Sequence, residues 1–192
     1  FALMAQALTQ PSCMNEAFKK IEELSHHTSW SVRLSIIDIM QVLVFNNMAI
    51  VYSRIEWIDK VQSIVLRLLE DNVLEVREKS AQVLGGLIHC SFLPATEKLL
   101  ELFKKKCKTK VIKRSDQVAS SCSFEAIATP DINSIRIRHC GVLGLCAFIQ
   151  AYPYDIPDFV PNVFEIISNH MNDPQPIPVI IKLFSHHKLL IS

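Results

Sequence analysis

A short pattern that occurs three times restricts what this chain can fold into. An apolar residue followed by arginine stands just after a polar stretch at residues 32–33, 76–77 and 137–138, and each pair opens an amphipathic segment. The apolar members lie 44 and 61 residues apart. Repeats of about 40 to 47 residues are typical of stacked helical hairpins. The first interval therefore predicts a repeat, and the second fits the same repeat if an insertion lies between its members.

Residues 66–87 show what one repeat contains. The pattern predicts the end of one amphipathic helix, a tight acidic turn at Asp71 and Asn72, and the start of a second helix. Either turn side chain is expected to cap the second helix by accepting its free backbone N–H groups. After the turn, apolar residues follow at spacings of three and four, which predicts one buried stripe. The combination of Asp71, Val76 and Arg77 resembles the turn of a HEAT repeat.

The rest of the chain predicts further helices of the same kind. It contains only 4 Gly and 9 Pro, which favours helices over a sheet of many strands. Residues 30–45 are apolar nearly all round, as expected of a helix in a buried inner layer. We predict an all-α fold, a HEAT/armadillo-like α-solenoid of stacked helical hairpins, with residues 1–192 forming a single fragment. The other predicted helices cover residues 14–27, 30–45, 56–70, 95–107, 132–151 and 158–171.

A basic and serine-rich segment interrupts this pattern at about residues 104–130. Its composition predicts an inserted, exposed loop, which would account for the longer second interval. The basic run is either a nuclear-localisation signal, an anion-binding strip, or a solvated loop without a binding role. It has no interleaved aromatic residue and the whole chain has a formal net charge of +1, so direct nucleic-acid binding is not expected. The run consists of Lys104, Lys105, Lys106, Lys108, Lys110, Lys113 and Arg114.

The cysteines and histidines do not form a recognisable metal or disulfide pattern. The six cysteines are scattered without a Cys-x-x-Cys pair, so we expect reduced thiols that pack as small hydrophobic residues in a cytosolic or nuclear protein. Neighbouring histidines at 26–27 and 186–187 would point about 100° apart on a helix. We expect no metal and no other cofactor. The cysteines are Cys13, Cys90, Cys107, Cys122, Cys140 and Cys146.

No arrangement in the sequence indicates catalysis. No nucleophile stands beside a base and an orienting group, so the chain is not expected to be an enzyme. His139 and Cys140 are expected to pack in a helix. Asp71 and Arg77 are expected to form a structural hydrogen-bonded pair. The residues that we expect to join one repeat to the next are Asp71, Val76, Arg77, Arg33 and Arg138.

All four glycines fall in predicted helices. Gly85, Gly86, Gly141 and Gly144 are expected to permit close approach of neighbouring helices, and not to form a phosphate-binding loop.

No membrane association is expected. The longest apolar region, residues 34–51, is interrupted by polar side chains, whereas a membrane span needs about 20 predominantly apolar residues. The N-terminus lacks the charged and apolar regions of a signal peptide. Because the chain begins with Phe1, we expect it to be a fragment of a longer protein.

Six blocks of sequence, in register over most of the chain, resemble one family. That family is the large HEAT-repeat proteasome activator, proteasome activator complex subunit 4, in its C-terminal region. The blocks are SWSVRL at 29–34, LLED with LEVRE at 68–78, CKTK at 107–110, RHCGVLGL at 138–145, PYDIP at 153–157 and NDPQPI at 172–177.

The resemblance implies a function in protein degradation. Members are solenoids that cap the core proteasome and stimulate peptide hydrolysis without ubiquitin or ATP, and they are not themselves proteases. The family is associated with turnover of acetylated histones, DNA repair and spermatogenesis, in nucleus and cytoplasm. The implied partners are therefore the core proteasome and acetylated histones.

The resemblance does not extend to the family's docking tail. Members end in a hydrophobic-Tyr-x tail that opens the proteasome gate, whereas this chain departs after Ile177 and lacks the family's Tyr-Tyr-Ala. No motif matches the family's acetyl-lysine or inositol-phosphate sites. The alternative function is a generic HEAT-repeat interaction scaffold, or a truncated paralogue without proteasome-activating ability.

Overall fold

The structure is a computed structural model that describes residues 10–110, 131–154 and 156–170. Within these ranges the chain forms α-helices and no strands, which confirms the predicted all-α fold. The helices are α1 (Pro11–Leu24), α2 (Trp30–Asn46), α3 (Met48–Tyr52), α4 (Ile55–Leu68), α5 (Leu74–His89), α6 (Glu97–Cys107), α7 (Ile132–Gln150) and α8 (Val160–Ser168).

The helices pack as successive pairs in two layers. Helix α1 packs on α2, α4 on α5, and α6 on α7. Across the pairs, α2 contacts α5 and α5 contacts α7 in one layer, while α1 contacts α4 in the other. This order of contacts is the one that stacked helical hairpins produce, because each hairpin meets only its neighbours.

Helices of one layer run side by side in the same direction. At the start of α4, Trp57 Nε1 donates to Asn15 Oδ1 near the start of α1 (2.9 Å). Near the end of α4, Arg67 Nη1 donates to the carbonyl oxygen of Ser25, just after α1 (2.9 Å). These two hydrogen bonds therefore align α4 with α1 along the length of both helices.

The layer of α2, α5 and α7 contains the deeply buried helix α7. In α7 every residue from His139 to Ile149 is buried. This helix is long and apolar enough to cross a membrane by length and composition, yet 61% of its apolar window is buried inside the fold. Burial between its neighbours explains the apolarity of α7. Helix α2 is less buried than its sequence predicts, since Trp30 (46%) and Phe45 (38%) are exposed.

Glycines set the distance between α6 and α7. A Cβ added at Gly141 would lie 2.5 Å from the backbone nitrogen of Cys107, and one at Gly144 would lie 2.4 Å from the Phe103 ring. At Gly85 the nearest atom, a carbonyl oxygen of α7, would be 3.1 Å away. The prediction for Gly86 is wrong, since its nearest neighbour would lie 3.8 Å away, in ordinary contact.

The predicted loop at about 104–130 starts too early. Lys104, Lys105 and Lys106 lie in the last turn of α6, which ends at Cys107. The helix persists because Phe103 and Cys107 continue its buried stripe, and because basic side chains are favourable at a helix C-terminus. The greater part of the predicted loop, residues 111–130, lies outside the described residues.

The predicted cap of α5 is also wrong. The N-cap residue is Val73, which makes no side-chain capping bond. Asp71 Oδ1 instead accepts a hydrogen bond from the backbone N–H of Val73 (2.9 Å), so the carboxylate closes the turn one step before the helix. The Asp71 carboxylate lies in this turn because it also binds Arg33 of the preceding hairpin, as described below.

Short helix α3 is not predicted by the sequence. It follows α2 after Asn47, whose backbone leaves the helical conformation (φ −120°, ψ 25°). Five residues carry too little periodicity to be detected as a separate helix.

Candidate functional site

Arg33 connects the first hairpin to the second at the edge where the turns lie. Its Nη1 donates to the carbonyl oxygens of His27 (2.8 Å) and Thr28 (3.0 Å), in the turn before α2. Its Nε and Nη2 donate to the two carboxylate oxygens of Asp71, at 2.6 and 2.7 Å. One guanidinium thus fastens its own turn and the next one, with the two-pronged geometry that arginine presents to a carboxylate.

Arg77 makes the same turn contacts one hairpin later. Its Nη1 donates to the carbonyl oxygens of Asp71 (2.7 Å) and Asn72 (3.1 Å). The arginine and both acceptors are each displaced by 44 residues from the corresponding members of the first turn. Its Nη2 lies 3.3 Å from His139 Nδ1 in α7, so this arginine also reaches the following hairpin. The 44-residue repeat in the sequence therefore corresponds to a repeat of the same arginine-to-carbonyl hydrogen bonds in the structure.

The expected pairing of Asp71 with Arg77 is corrected in one respect. Arg77 contacts the main-chain carbonyl of Asp71, while the carboxylate is bound by Arg33. Burial alone would raise the pKa of Asp71, but the hydrogen bonds from Arg33 and Val73 and the nearby arginine charges outweigh it, so this pKa lies below its usual value. The Asp71 side chain is only 8% exposed and that of Arg33 13%. The aspartate is thus a partly buried, ionised link between hairpins.

The third hairpin is joined through Arg136, two residues before the predicted joint Arg138. Arg136 Nη1 donates to Asn72 Oδ1 at 2.5 Å. Arg138 is half-buried in α7, and its charge acts on the thiol of Cys107. Val76, the apolar member of the pattern, is fully buried in α5.

The basic run does not form one continuous strip. Lys104 pairs with Glu101 on its own helix (2.8 Å), whereas Lys106 reaches into the stack and pairs with Glu70 at the end of α4. Lys105, Lys108 and Lys110 are exposed. Lys113 and Arg114 lie outside the described residues, so any binding role of the run stays a prediction.

Two adjoining cavities of about 450 Å³ each lie along the turns. Arg67, Glu70 and Arg136 line both cavities, which makes them one continuous groove. We call this the turn groove. Its remaining wall residues come from the turns before α2 and α5 and from α4, α6 and α7, and are Ser25, His26, His27, Thr28, Arg33, Leu66, Asp71, Asn72, Leu102, Phe103, Lys106 and Cys140.

Sequence reasoning missed Arg67 and Glu70 as members of this site. Both stand at the end of an amphipathic helix, where charged residues are ordinary. Arg67 contacts Ser25, 42 residues earlier, and Glu70 contacts Lys106, 36 residues later. No local pattern links residues so far apart, so only the stacking of the hairpins shows that they share a groove.

The buried thiols are poorly suited to chemistry. Burial raises the pKa of Cys107, Cys140 and Cys146 to about 12 in each case. The reactive form of cysteine is the thiolate, which such values suppress at neutral pH. Among the described residues no group of three or more His, Cys, Asp or Glu side chains is placed to hold a metal ion. Cys122, His186 and His187 lie outside the described part.

Comparison with known proteins places the chain in a family. Residues 135–187 match the family model described as "Proteasome activator complex subunit 4-like, C-terminal". "Proteasome activator complex subunit 4A" of Danio rerio is 37% identical over 181 residues, which is 94% of this chain and 10% of the relative. The chain belongs to the proteasome activator complex subunit 4 family. It spans about a tenth of the length of the curated relatives it matches.

Other members of the proteasome activator complex subunit 4 family match over the same extent. "Proteasome activator complex subunit 4" of Homo sapiens is 33% identical over 94% of this chain and 10% of its own length. "Proteasome activator subunit 4" of Arabidopsis thaliana is 24% identical over 92% of this chain and 9% of its own length.

Two of the blocks that resemble this family form the edge at which the turns lie. Residues 29–34 contain Arg33, and residues 68–78 contain Asp71 and Arg77. The resemblance to the activator family therefore includes the side chains that connect one hairpin to the next.

Proposed function

We propose that this chain is a stacked-hairpin segment of a proteasome activator, which caps the core proteasome and stimulates degradation of peptides and proteins without ubiquitin or ATP. The observation that carries the proposal is the similarity to proteins named as proteasome activator complex subunit 4, over 94% of the chain. The proposed role is binding and not catalysis.

The geometry supports a rigid binding segment. Arg33 and Arg77 repeat their turn contacts, and successive hairpins are joined by further hydrogen bonds along the same edge. An α-solenoid built in this way presents extended surfaces that do not rearrange easily, because each hairpin is held on both sides by its neighbours. We propose that these hairpins continue a HEAT-repeat solenoid of the larger protein.

The proposed partners and location follow from the family. We propose the core proteasome as the main partner and acetylated histones as degraded substrates, in nucleus and cytoplasm, with roles in DNA repair and spermatogenesis. No membrane partner and no direct contact with nucleic acid is proposed.

The second candidate is a HEAT-repeat interaction scaffold that does not activate the proteasome. It rests on the stacked hairpins themselves, because repeats of this kind form extended binding surfaces for many partners. A scaffold of this kind would use the same stacked surfaces for a different partner.

A chimera separates the two candidates. We would replace the matching region of the Danio rerio relative with this chain and assay hydrolysis of a fluorogenic peptide by purified core proteasome. The activator proposal expects the chimera to bind core proteasome and stimulate hydrolysis as the parent relative does. A chimera that folds and binds without stimulating would favour the scaffold.

The isolated 192-residue chain provides the complementary measurement. It is immobilised and tested for retention of core proteasome, with an Asp71→Asn variant to show whether retention depends on the intact stack. If neither the chain nor the folded chimera retains core proteasome, the activator proposal is wrong.

A further inference from the structure

The turn groove combines charges that are paired with charges that are not. Four cationic side chains, Arg33, Arg67, Lys106 and Arg136, line it together with the carboxylates of Glu70 and Asp71. Arg33 is paired with Asp71 and Lys106 with Glu70. The other two cations, Arg67 and Arg136, are not in an ion pair with a carboxylate of the groove.

The hydrogen bonds that Arg67 and Arg136 donate go to neutral oxygen atoms. Arg67 donates to the carbonyl oxygen of Ser25 (2.9 Å) and to its hydroxyl. Arg136 donates to the side-chain oxygen of Asn72, and its Nε is buried without a hydrogen-bond partner among the described residues. Burial lowers the pKa of Arg67, which shows that its guanidinium is partly stripped of water. Glu22 and Asp71 act on the Arg67 charge from a greater distance, but within the described residues neither Arg67 nor Arg136 forms an ion pair with a carboxylate.

An apolar wall lies beside these charges. Leu102 on α6 is 40% exposed, although it lines a cavity, and Leu66 on α4 is half-buried next to it. Phe103 forms a fully buried floor. Arginine beside exposed apolar surface is the composition typical of protein interfaces.

We propose that the turn groove binds an acidic segment of a partner protein, with an aspartate or glutamate carboxylate between Arg67 and Arg136 and an adjoining apolar side chain against Leu66 and Leu102. The carboxylate places a negative charge beside two arginines that have no ion-paired carboxylate, and hydrogen bonds from a guanidinium to a carboxylate are strengthened by the opposite charges. The apolar side chain covers the exposed part of Leu102.

The apolar wall, and not the charge of the groove, favours this ligand over a phosphate. Glu70 and Asp71 line the groove together with the two arginines, so they repel an incoming anion. A phosphate group carries about −1.5 to −2 charges at neutral pH, so both its attraction to the four cations and its repulsion by the two carboxylates are stronger than for a carboxylate with one charge. The apolar wall also has no role in binding an inorganic anion.

Fluorescence anisotropy with the full chain tests the proposal. The probe is a short fluorescein-labelled peptide in which Glu-Leu pairs are separated by Gly-Ser, and the reference peptide has glutamine in place of each glutamate. We expect the glutamate peptide to bind at least about tenfold more tightly than the reference, because only it forms charge-assisted hydrogen bonds. We also expect its affinity to fall as sodium chloride is added, since the groove is open to solvent.

Two variants and a matched control locate the site. Arg136→Gln should weaken binding of the glutamate peptide about tenfold, while Leu102→Gln, at an exposed position, should weaken it without threatening the fold. Lys105→Gln removes the same charge from the end of α6 outside the groove and should leave the affinity unchanged. Circular dichroism melts establish that each variant is folded.

Several results would overturn the proposal. These are no binding of the glutamate peptide by the wild-type chain, equal binding of the glutamine peptide, and an affinity that Arg136→Gln and Leu102→Gln both leave intact. Displacement of the peptide by inorganic phosphate at a similar concentration would show a small-anion site in place of a protein-binding groove.

Discussion

Arg33 and Arg77 show how single residues connect the hairpins. A turn that precedes a helix leaves carbonyl oxygens without helical partners, and the planar guanidinium has five donors in a fixed fork. Each arginine donates from Nη1 to the carbonyl oxygens of its own turn, and its Nη2 contacts a side chain of the next hairpin. Lysine could not replace it, since a single ammonium group cannot present donors in two directions in one plane.

Replacing Asp71 should destabilise the fold measurably. Asp71→Asn leaves the guanidinium of Arg33, only 13% exposed, without its counter-charge, and we expect the free energy of unfolding to fall by about 2 to 4 kcal/mol. Urea denaturation at neutral pH measures the change. The control is Asp38→Asn, because the Asp38 side chain is 55% exposed in its pair with Lys79 and such surface pairs contribute at most about 1 kcal/mol.

Acid should remove this difference. The pKa of Asp71 is lowered in the folded protein, so its contribution is present above the unfolded pKa of about 3.9 and is lost as the pH falls through the lower folded value. The stability of wild type and Asp71→Asn should therefore converge progressively as the pH falls below the unfolded pKa toward the lower folded value. An equal difference at acid and neutral pH would show that the carboxylate's charge is not what stabilises the link.

At the scale of elements, α6 and α7 pack closely because α7 lacks side chains where they meet. The Phe103 ring occupies the space that a Cβ at Gly144 would take, and the backbone around Cys107 occupies that of Gly141. The same ring lies edge-on to Phe148 with centroids 6.1 Å apart. Contact between backbone and ring leaves no flexible group that can move aside, so this interface tolerates no added volume.

Gly144→Ala should therefore destabilise the protein although alanine favours helix. We expect a loss of about 1 to 3 kcal/mol from overpacking against the buried Phe103 ring. Gly86→Ala is the matched control: its Cβ meets nothing closer than 3.8 Å, and the gain in helix propensity should stabilise by up to about 1 kcal/mol. Thermal melts of the two variants should shift in opposite directions, and a shift in the same direction would contradict the packing argument.

In the whole molecule, the stacked hairpins keep the thiols between them out of contact with solvent. Cys146 is 1% exposed, with a pKa raised by burial to about 12, whereas Cys13 is exposed at the beginning of α1. Groups enclosed between hairpins become accessible only when the hairpins separate. Thiol reactivity therefore reports on the integrity of the stack.

Alkylation should distinguish the two cysteines by rate. With iodoacetamide at neutral pH, Cys13 should react as a free thiol and Cys146 at least about a hundredfold more slowly, as read by mass spectrometry of tryptic peptides. Urea below the unfolding midpoint should accelerate Cys146 and leave Cys13 unchanged. Equal rates without urea would mean that the helices around Cys146 open readily.

Local patterns in the sequence predict the repeat and every described helix except α3. Apolar spacing of three and four residues marks helices locally, and the 44-residue interval between Val32 and Val76 relates the turns before α2 and α5. The apolar spacing and the 44-residue interval are both properties of the linear sequence, so they can be recognised without the tertiary structure. The sequence also predicted a helix over residues 95–107, and α6 does end at Cys107.

Which side chains meet across the hairpins depends on the tertiary structure. It assigned Asp71 to Arg33 in the previous hairpin, placed Arg136 against Asn72 between the second and third hairpins, and brought Arg67 and Lys106 into one groove. Each of these choices depends on the rotation and register of one hairpin on the next. Large and small side chains set that register together, and no local pattern encodes it.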